Sequence, residues 1–411
     1  MQLKNNELTR LPLTAYRFLT VNRQTYKIMI VAGEASGDAH AARLVMRLRE
    51  LSPETSFEFF GATGHLLREA GVETVVNADN LAIVGLPEIA KALPMFWRMF
   101  QTLKKTAAQR KPDAVLLVDF PDFNLKLARA LKKSGLKVIY YISPQLWAWR
   151  KHRARTIRKY VDLVLAILPF EKDWYAEQGI NHVEYVGNPL AREVQSTLSR
   201  EEFCARHDLD AKKPLVALLA GSRHKELARI LPGMLETAHL LAKKNPEIQF
   251  VNALAASRTL SEVETAINET KQKGKSPPEN LITVQGETRE ALNASDAAAV
   301  TSGTATLETA IIGAPMAIVY KTSSLNYRIL RPLINVPHFG LINLIARERL
   351  AAEFIQDEFT PEALAAELFR LLEPETNRKM RARLKEVVAT LGHGAARNAA
   401  RAILKTLNDE R

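Results

Sequence analysis

The sequence predicts an α/β protein made of two Rossmann-like, doubly wound domains that face each other across a cleft. Three observations predict it. Short apolar, β-branched runs alternate with longer helical stretches. The alternation breaks in a turn-rich stretch over residues 186–214 and then restarts. The chain has 411 residues, which exceeds one ordinary core and suits two domains of about 150–200 residues each.

The elements follow in order. Tyr26–Ala32 (YKIMIVA) reads as a strand, and Ala39–Leu51 as a helix with Leu44, Leu48 and Leu51 on one face. Further strands are expected at Phe57–Phe60, Val72–Val76, Ala114–Val118, Lys137–Ile142 and Leu163–Ile167. Continuous apolar strands separated by helices imply a parallel sheet covered on both faces. After a join near 188–212, strands are expected at Leu215–Leu219, Ile248–Val251, Leu281–Gln285, Ala297–Thr301 and Ala317–Tyr320. Residues 268–280 read as a polar surface loop, and Glu362–Leu407 as helical. The expected divisions are a basic extension over 1–25, a first Rossmann-like domain over 26–200, a second over 201–385, and a C-terminal helix over 386–411.

Composition narrows the class. The chain is 47% hydrophobic and 25% charged, as a folded globular protein is. Its single cysteine, Cys204, rules out an internal disulfide. Nine scattered histidines without HxH, HExxH or CxxC patterns argue against a zinc site. A net charge of +12 draws the chain to polyanions: nucleic acid, anionic lipid headgroups or phosphorylated substrates. No RNP-type or helix-turn-helix pattern favours nucleic acid. No apolar run approaches the ~18 residues of a membrane span. Residues 1–25, with Lys4, Arg10, Arg17 and Arg23 against Glu7, read as a poorly ordered extension, a basic membrane arm or an organellar transit segment.

Ligands of open α/β sheets bind at the carboxyl ends of strands, so the turns there carry the functional signal. Gly33-Glu34-Ala35-Ser36-Gly37-Asp38 follows the first strand; Ser36 or Asp38 would cap the helix, or the turn would form an acceptor-side site. Asp119 follows the strand Ala114–Val118. A partly desolvated carboxylate there suits a general base, against the alternative of a structural turn. Asp122 fits better as the cap of the next helix.

In the second half, Gly221-Ser222-Arg223 precedes a helix expected from Lys225, a natural diphosphate site unless Arg223 is a plain surface arginine. Ser302, Gly303 and Thr304 put small groups and bare N–H donors at another helix start, and Glu308 one turn on would take ribose hydroxyls or form a structural salt bridge.

Over Leu81–Lys105, Ile89, Leu93, Phe96 and Phe100 form a core stripe. Met95, Trp97 and Met99 fall beside it with Lys91, Arg98, Lys104 and Lys105, as at a lipid headgroup interface; the alternative is a wide core-facing helix. Trp147–Arg155, aromatic then basic, reads as cleft lining with a cation toward an anionic substrate, ahead of base stacking on nucleic acid. Asp208-Leu209-Asp210 is a DxD outside any strand end, and no metal is expected there.

Together these segments resemble the lipid-A-disaccharide synthases. The matching motifs are AGEASGD (32–38), DFPDFNLKLA (119–128), YYISPQLWAWR (140–150), ILPFEKDWY (167–175), YVGNP (185–189), LLAGSR (218–223), TSGTATLE (301–308) and NLIARERL (343–350), in order. The resemblance implies the GT-B architecture, inversion at the anomeric carbon, and no metal or other cofactor. It implies transfer of 2,3-diacylglucosamine from UDP to the 6-hydroxyl of 2,3-diacylglucosamine 1-phosphate, giving a β-1,6 disaccharide 1-phosphate and UDP. Asp119 is the implied base, and Glu34, Ser36, Asp38, Asp122 and Asn124 the acceptor side. Ser222, Arg223, Ser302, Gly303, Thr304, Glu308 and Asn343 map to UDP, and Met95, Trp97, Arg98 and Met99 to membrane or acyl contact. The resemblance also implies a peripheral protein on the cytoplasmic face of the inner membrane, with a homodimer open. Ala41, the segment Gly61–Leu67 and Val84 depart from the family's pattern, all in the acceptor half. The rival readings are another UDP-sugar enzyme of this fold (a UDP-N-acetylglucosamine epimerase or a lipid-linked N-acetylglucosaminyltransferase), a catalytically dead membrane-binding homologue, and a basic nucleic-acid-binding protein.

Overall fold

The structure is a computed structural model that describes residues 24–79, 89–334 and 336–409. Residues 1–23 of the expected basic extension and residues 81–88 of the Leu81–Lys105 segment, with Val84, lie outside the described residues.

Seven parallel strands form the first sheet: β1 (Thr25–Ala32), β2 (Ser56–Thr63), β3 (Glu73–Asn77), β4 (Ala114–Val118), β5 (Val138–Tyr141), β6 (Leu163–Ala166) and β7 (Val183–Tyr185). Their order is β3-β2-β1-β4-β5-β6-β7. The second sheet holds β8 (Leu215–Leu219), β9 (Gln249–Leu254), β10 (Leu281–Gln285), β11 (Ala297–Thr301), β12 (Met316–Tyr320) and β13 (Glu353–Ile355), in the order β10-β9-β8-β11-β12-β13. The two domains of parallel sheet flanked by helices are those the alternation predicts. Strand order reverses between β1 and β4, and again between β8 and β11. The crevices that take ligands in such sheets open at those points.

Register brings the key turns together. Ala32 pairs with Val118 at the ends of β1 and β4, so the turn after Ala32 and the turn after Val118 are neighbours. Gly33 is required by this contact: a Cβ there would lie 2.4 Å from the Phe120 ring. β4 throughout and β1 from Ile28 onward are apolar and buried, which fixes this register against slippage.

Several local expectations are corrected. The first helix runs over Ala35–Leu51, starting four residues before the expected Ala39, so Ser36 and Asp38 fall inside its first turn. The polar stretch 268–280 is partly helical, because the helix Leu260–Gln272 continues into it on a capping box at Thr259 and Glu262. Strands β7 and β13 were not anticipated; at three residues each they are too short for a periodic signal.

The C-terminal helix Ala395–Asn408 leaves the second domain and packs on the first. Ala399, Ala400, Ile403 and Leu407 share one core with Tyr26, Ile28, Leu44 and Leu48. The small alanines let it lie close against the helix Ala35–Leu51. Lys137 Nζ donates to Thr406 O at 2.7 Å, and Tyr26 Oη to Asn408 Oδ1 at 2.6 Å. Trp147 and Leu168, from the first domain's sequence, pack in turn into the second domain's core. The lobes are thus tied by exchanged apolar groups as well as by the chain.

Candidate active site

Asp119 stands on a strained turn. Asp119 (φ 48°) and Phe120 (φ 51°) are consecutive left-handed residues without being glycine. Each such residue costs about 1–3 kcal/mol and persists only when its surroundings over-determine it. They do so here. Asp119 N–H donates to Tyr141 O at 3.1 Å. The Asp119 carbonyl accepts from Tyr140 Oη at 2.7 Å and from Asn124 Nδ2 at 2.8 Å. Asn124 Nδ2 also reaches Val118 O at 3.2 Å. Phe120 lies against Phe123 with ring centroids 5.4 Å apart.

The backbone of residue 119 is thereby spoken for, while among the described residues its side chain accepts only from the adjoining Phe120 N–H. Burial, and next the negative charge of Glu34, push the Asp119 carboxyl up from 3.8 to about 6; the Phe120 hydrogen bond opposes them. A carboxylate of that basicity takes a proton from an attacking hydroxyl better than an ordinary aspartate does.

The acceptor-side candidates divide. Glu34 sits at the N-cap of Ala35–Leu51 without a side-chain cap bond, and with Ser36 it is exposed. Asp38 is buried, and its carboxylate accepts from Gly64 N at 2.7 Å and Leu66 N at 2.8 Å. It caps the helix His65–Glu69 instead of its own helix, because its buried oxygens meet those otherwise unpaired N–H groups. A cavity of about 300 Å³ between these turns is lined by Ala32, Glu34, Ala35, Asp38, His65 and Leu66.

Asn124 is fully buried and positions the Asp119 turn. Asp122 does not cap the next helix, whose N-cap is Phe120. Pro121 begins that helix, so Asp122 falls in its first turn, where it meets Arg150 and Arg153. Those two cations hold its carboxyl below the usual carboxylate range, against the pull of its burial.

In the second lobe, Arg223 is the N-cap of His224–Lys244, its side chain 82% exposed and bonded to Glu226 at 2.8 Å. Ser222 is exposed beside it. Gly303 is the N-cap of Thr304–Ile312, and Gly303 and Thr304 are exposed, leaving open N–H donors. Ser302 is committed elsewhere: its hydroxyl donates to Phe339 O at 2.7 Å.

Asn343 is fully buried, and its side chain is paired within the protein: its Nδ2 donates to Ala351 O and to Glu353 Oε1 (2.8 Å each), and its Oδ1 accepts from Ala351 N. Through Glu353 that side chain braces the loop around Phe339.

Glu308 pairs with Arg289 at 3.5 Å. Arg289 also donates to Glu193 O at 2.8 Å, and the Glu193 carboxylate meets Arg43 of the helix Ala35–Leu51. The chain Arg43, Glu193, Arg289, Glu308 therefore runs from the helix that follows β1 to the helix that follows β11. It ties the two lobes through helices that follow the strands beside each crevice. Sequence reading missed Arg289, Glu193, Tyr140 and Glu353. Their partners lie far along the chain, and no local pattern marks them.

On Ile89–Arg110, Met99, Leu103 and Ala107 are buried, and Phe96 and Phe100 pack on Phe120 and Phe123. Leu93 is 59% exposed and Trp97 64%, with Arg98 exposed alongside. The expected stripe is therefore rotated: Leu93 faces out, Met99 is core and Met95 is half-buried against it. The inward-facing set, with Met99, Leu103 and Ala107 buried and Phe96 and Phe100 half-buried against them, is the better helical repeat. Among the described residues no helix is long and apolar enough to cross a membrane.

The comparisons with known proteins agree with this geometry. A family model described as "Lipid-A-disaccharide synthetase" matches residues 28–407. A lipid-A-disaccharide synthase of Geobacter sulfurreducens is 41% identical over 371 residues, covering 90% of this chain and 94% of the relative. One of Syntrophus aciditrophicus is 44% identical over 375 residues, covering 91% and 96%. In fold, the chain is similar to the solved glycotransferase of kitacinnamycin, with a TM-score of 0.58 at 15% identity over 93% of this chain and 100% of that one. A match that spans both lobes and every turn described above admits one conclusion: the chain belongs to the lipid-A-disaccharide synthase family, and its two lobes form the GT-B fold of glycosyltransferases.

Proposed function

We propose that the protein transfers 2,3-diacylglucosamine from UDP to the 6-hydroxyl of 2,3-diacylglucosamine 1-phosphate, with Asp119 as general base. The observation that carries this reading is a carboxylate of raised basicity on a braced turn at the strand-order reversal of the first sheet. The attacking hydroxyl gives its proton to Asp119 as its oxygen bonds to the anomeric carbon. The bond to the UDP oxygen breaks on the opposite face, and the diphosphate leaves with the electron pair. In this reading Arg223, the N-cap of His224–Lys244, and the N–H groups at the start of Thr304–Ile312 stabilise that growing charge. Glu308, steadied by Arg289, takes the ribose hydroxyls. Holding both sugars in one cleft removes much of the entropic barrier.

The deciding experiment incubates the protein with both lipids and follows products by mass spectrometry. The disaccharide 1-phosphate and UDP are expected. Epimer formation from UDP-N-acetylglucosamine alone, without transfer, would move the assignment to an epimerase.

Two further outcomes are expected. Arg223→Ala weakens UDP binding by about 10- to 100-fold, the loss of a charge-assisted hydrogen bond of ~1.5–3 kcal/mol. Calorimetry checks this, and unchanged affinity removes Arg223 from the donor site. The exposed Leu93, Trp97 and Arg98 suit a peripheral seat on an anionic bilayer, where the acyl chains of both substrates reside. Trp97→Ser lowers binding to anionic vesicles by about tenfold, ~1.4 kcal/mol. Equal sedimentation of both forms with vesicles refutes that face.

A further inference from the structure

Residues 147–155 are a segment the transfer chemistry has not used. After β5 the chain reaches a 3-10 turn, Lys151–Arg153, and its N-cap Arg150 is left-handed at φ 59°, ψ 36°. That backbone swing folds the Arg150 guanidinium over the ring of Trp149, 4.1 Å from its centroid. It also brings two arginines to one oxygen. Arg150 Nη1 lies 2.9 Å and Arg153 Nη2 2.5 Å from Asp122 Oδ1.

The balance of this cluster is uneven. Two guanidinium groups share one carboxylate, so one positive charge is left over, and each fork has further N–H donors. An ion pair as exposed as this one, with the Asp122 side chain 67% exposed, contributes about 0–1 kcal/mol at most. That is less than the ~1–3 kcal/mol cost of a left-handed arginine. The arrangement is thus not explained as a stability device. Paired arginine forks suit a phosphate dianion better than they suit one carboxylate.

Asp122 is in the first turn of the helix that starts straight after Asp119 and Phe120. Asp119, Asp122 and Arg153 all act electrostatically on the Tyr140 phenol, whose Oη donates to Asp119 O. The arginine pair and the base are therefore close neighbours on one edge of the first sheet.

We propose that Arg150 and Arg153 form the subsite for the phosphomonoester of the acceptor, with Asp122 holding the two forks in register until the dianion replaces it. The assignment rests on the acceptor reading above. It places the sugar between a base that addresses one end of the ring and a cationic fork that addresses the other. Arg150 and Arg153 are binding residues for the phosphate, and Asp122 is a positioning residue.

The test pairs enzyme variants with acceptor variants. Wild type, Arg150→Gln, Arg153→Gln, the double variant and Arg153→Lys are assayed with the acceptor 1-phosphate and with the same diacyl sugar bearing a free 1-hydroxyl. For the double variant, KM for the phosphorylated acceptor rises about 10- to 100-fold, while kcat and the KM for the 1-hydroxyl acceptor stay near wild type. Arg153→Lys keeps part of the preference. Asp122→Asn keeps an acceptor oxygen that holds the forks in register but removes the charge the dianion must displace, and so lowers KM for the phosphorylated acceptor only. Equal losses on both acceptors, or a phosphate preference that survives the double substitution in an active enzyme, overturn the assignment alone. A wild-type enzyme that transfers to neither acceptor overturns the assignment together with the proposed reaction.

Discussion

Asp119→Asn lowers kcat by about 10²- to 10⁴-fold, the range that a positioned general base contributes. Asparagine keeps the shape and the tendency toward a left-handed backbone. The bonds from Tyr140 and Asn124 end on the carbonyl of residue 119 and survive the change. The loss therefore falls on proton transfer, and UDP affinity measured by calorimetry stays at the wild-type value. The wild-type pH profile carries the same signature. The base must be ionised, and its carboxyl sits at about 6 instead of 3.8. Below pH 6, kcat/KM in the free enzyme then falls about tenfold per pH unit, and above it the rate levels off.

Burial is the largest cause of the shift and Glu34 the second. Glu34→Gln removes a like charge and moves the acid limb to lower pH. An Asp119→Asn enzyme within a few-fold of wild type, or an acid limb that stays near pH 4, removes this residue from proton transfer.

Glu353→Ala has the largest expected effect on stability. The carboxylate is buried at 7% exposure and accepts from Phe339 N (3.0 Å), Gly340 N (2.8 Å) and Asn343 Nδ2 (2.8 Å). Truncation leaves those donors in a dry site. Each unsatisfied buried group costs about 1–3 kcal/mol, so a total of roughly 3–5 kcal/mol is expected. For a domain of this size that corresponds to a fall in Tm of about 10 °C or more.

The function follows the fold in this case. Phe339 O holds the Ser302 hydroxyl, and Ser302 opens the turn to the helix Thr304–Ile312. Loosening Phe339 spreads that helix start and weakens UDP binding as well. Glu353→Gln retains the shape and one acceptor oxygen, and loses less. Thermal melts with and without UDP check both effects. A Glu353→Ala protein that melts within about 1–2 °C of wild type shows that the donors found other partners.

Much of the fold was legible in the sequence, and the reason is local. Ala114–Val118, Leu215–Leu219, Leu281–Gln285 and Ala297–Thr301 coincide with the expected strands to the residue. Ala114–Val118 and Leu215–Leu219, buried on both faces, must be apolar throughout, and the turns that bound each strand are written in neighbouring residues. The position of Asp119 at the end of β4 follows from the same pattern. Strands of three residues, such as Val183–Tyr185 and Glu353–Ile355, carry no period to read.

Side-chain roles were less legible. By itself the chain determined where strands end and which turns hold carboxylates, arginines and small residues, because these depend on burial and on adjacent backbone. Tertiary structure decided which of those groups stay free. Asp38 became a cap because Gly64 and Leu66 bring it their N–H groups, and Asn343 became a brace because Ala351 and Glu353 close around it. Asp119 kept its carboxylate because its braces end on its carbonyl instead. A buried polar atom must be paired, and whether its partner is protein or ligand depends on which distant segment the fold carries to it.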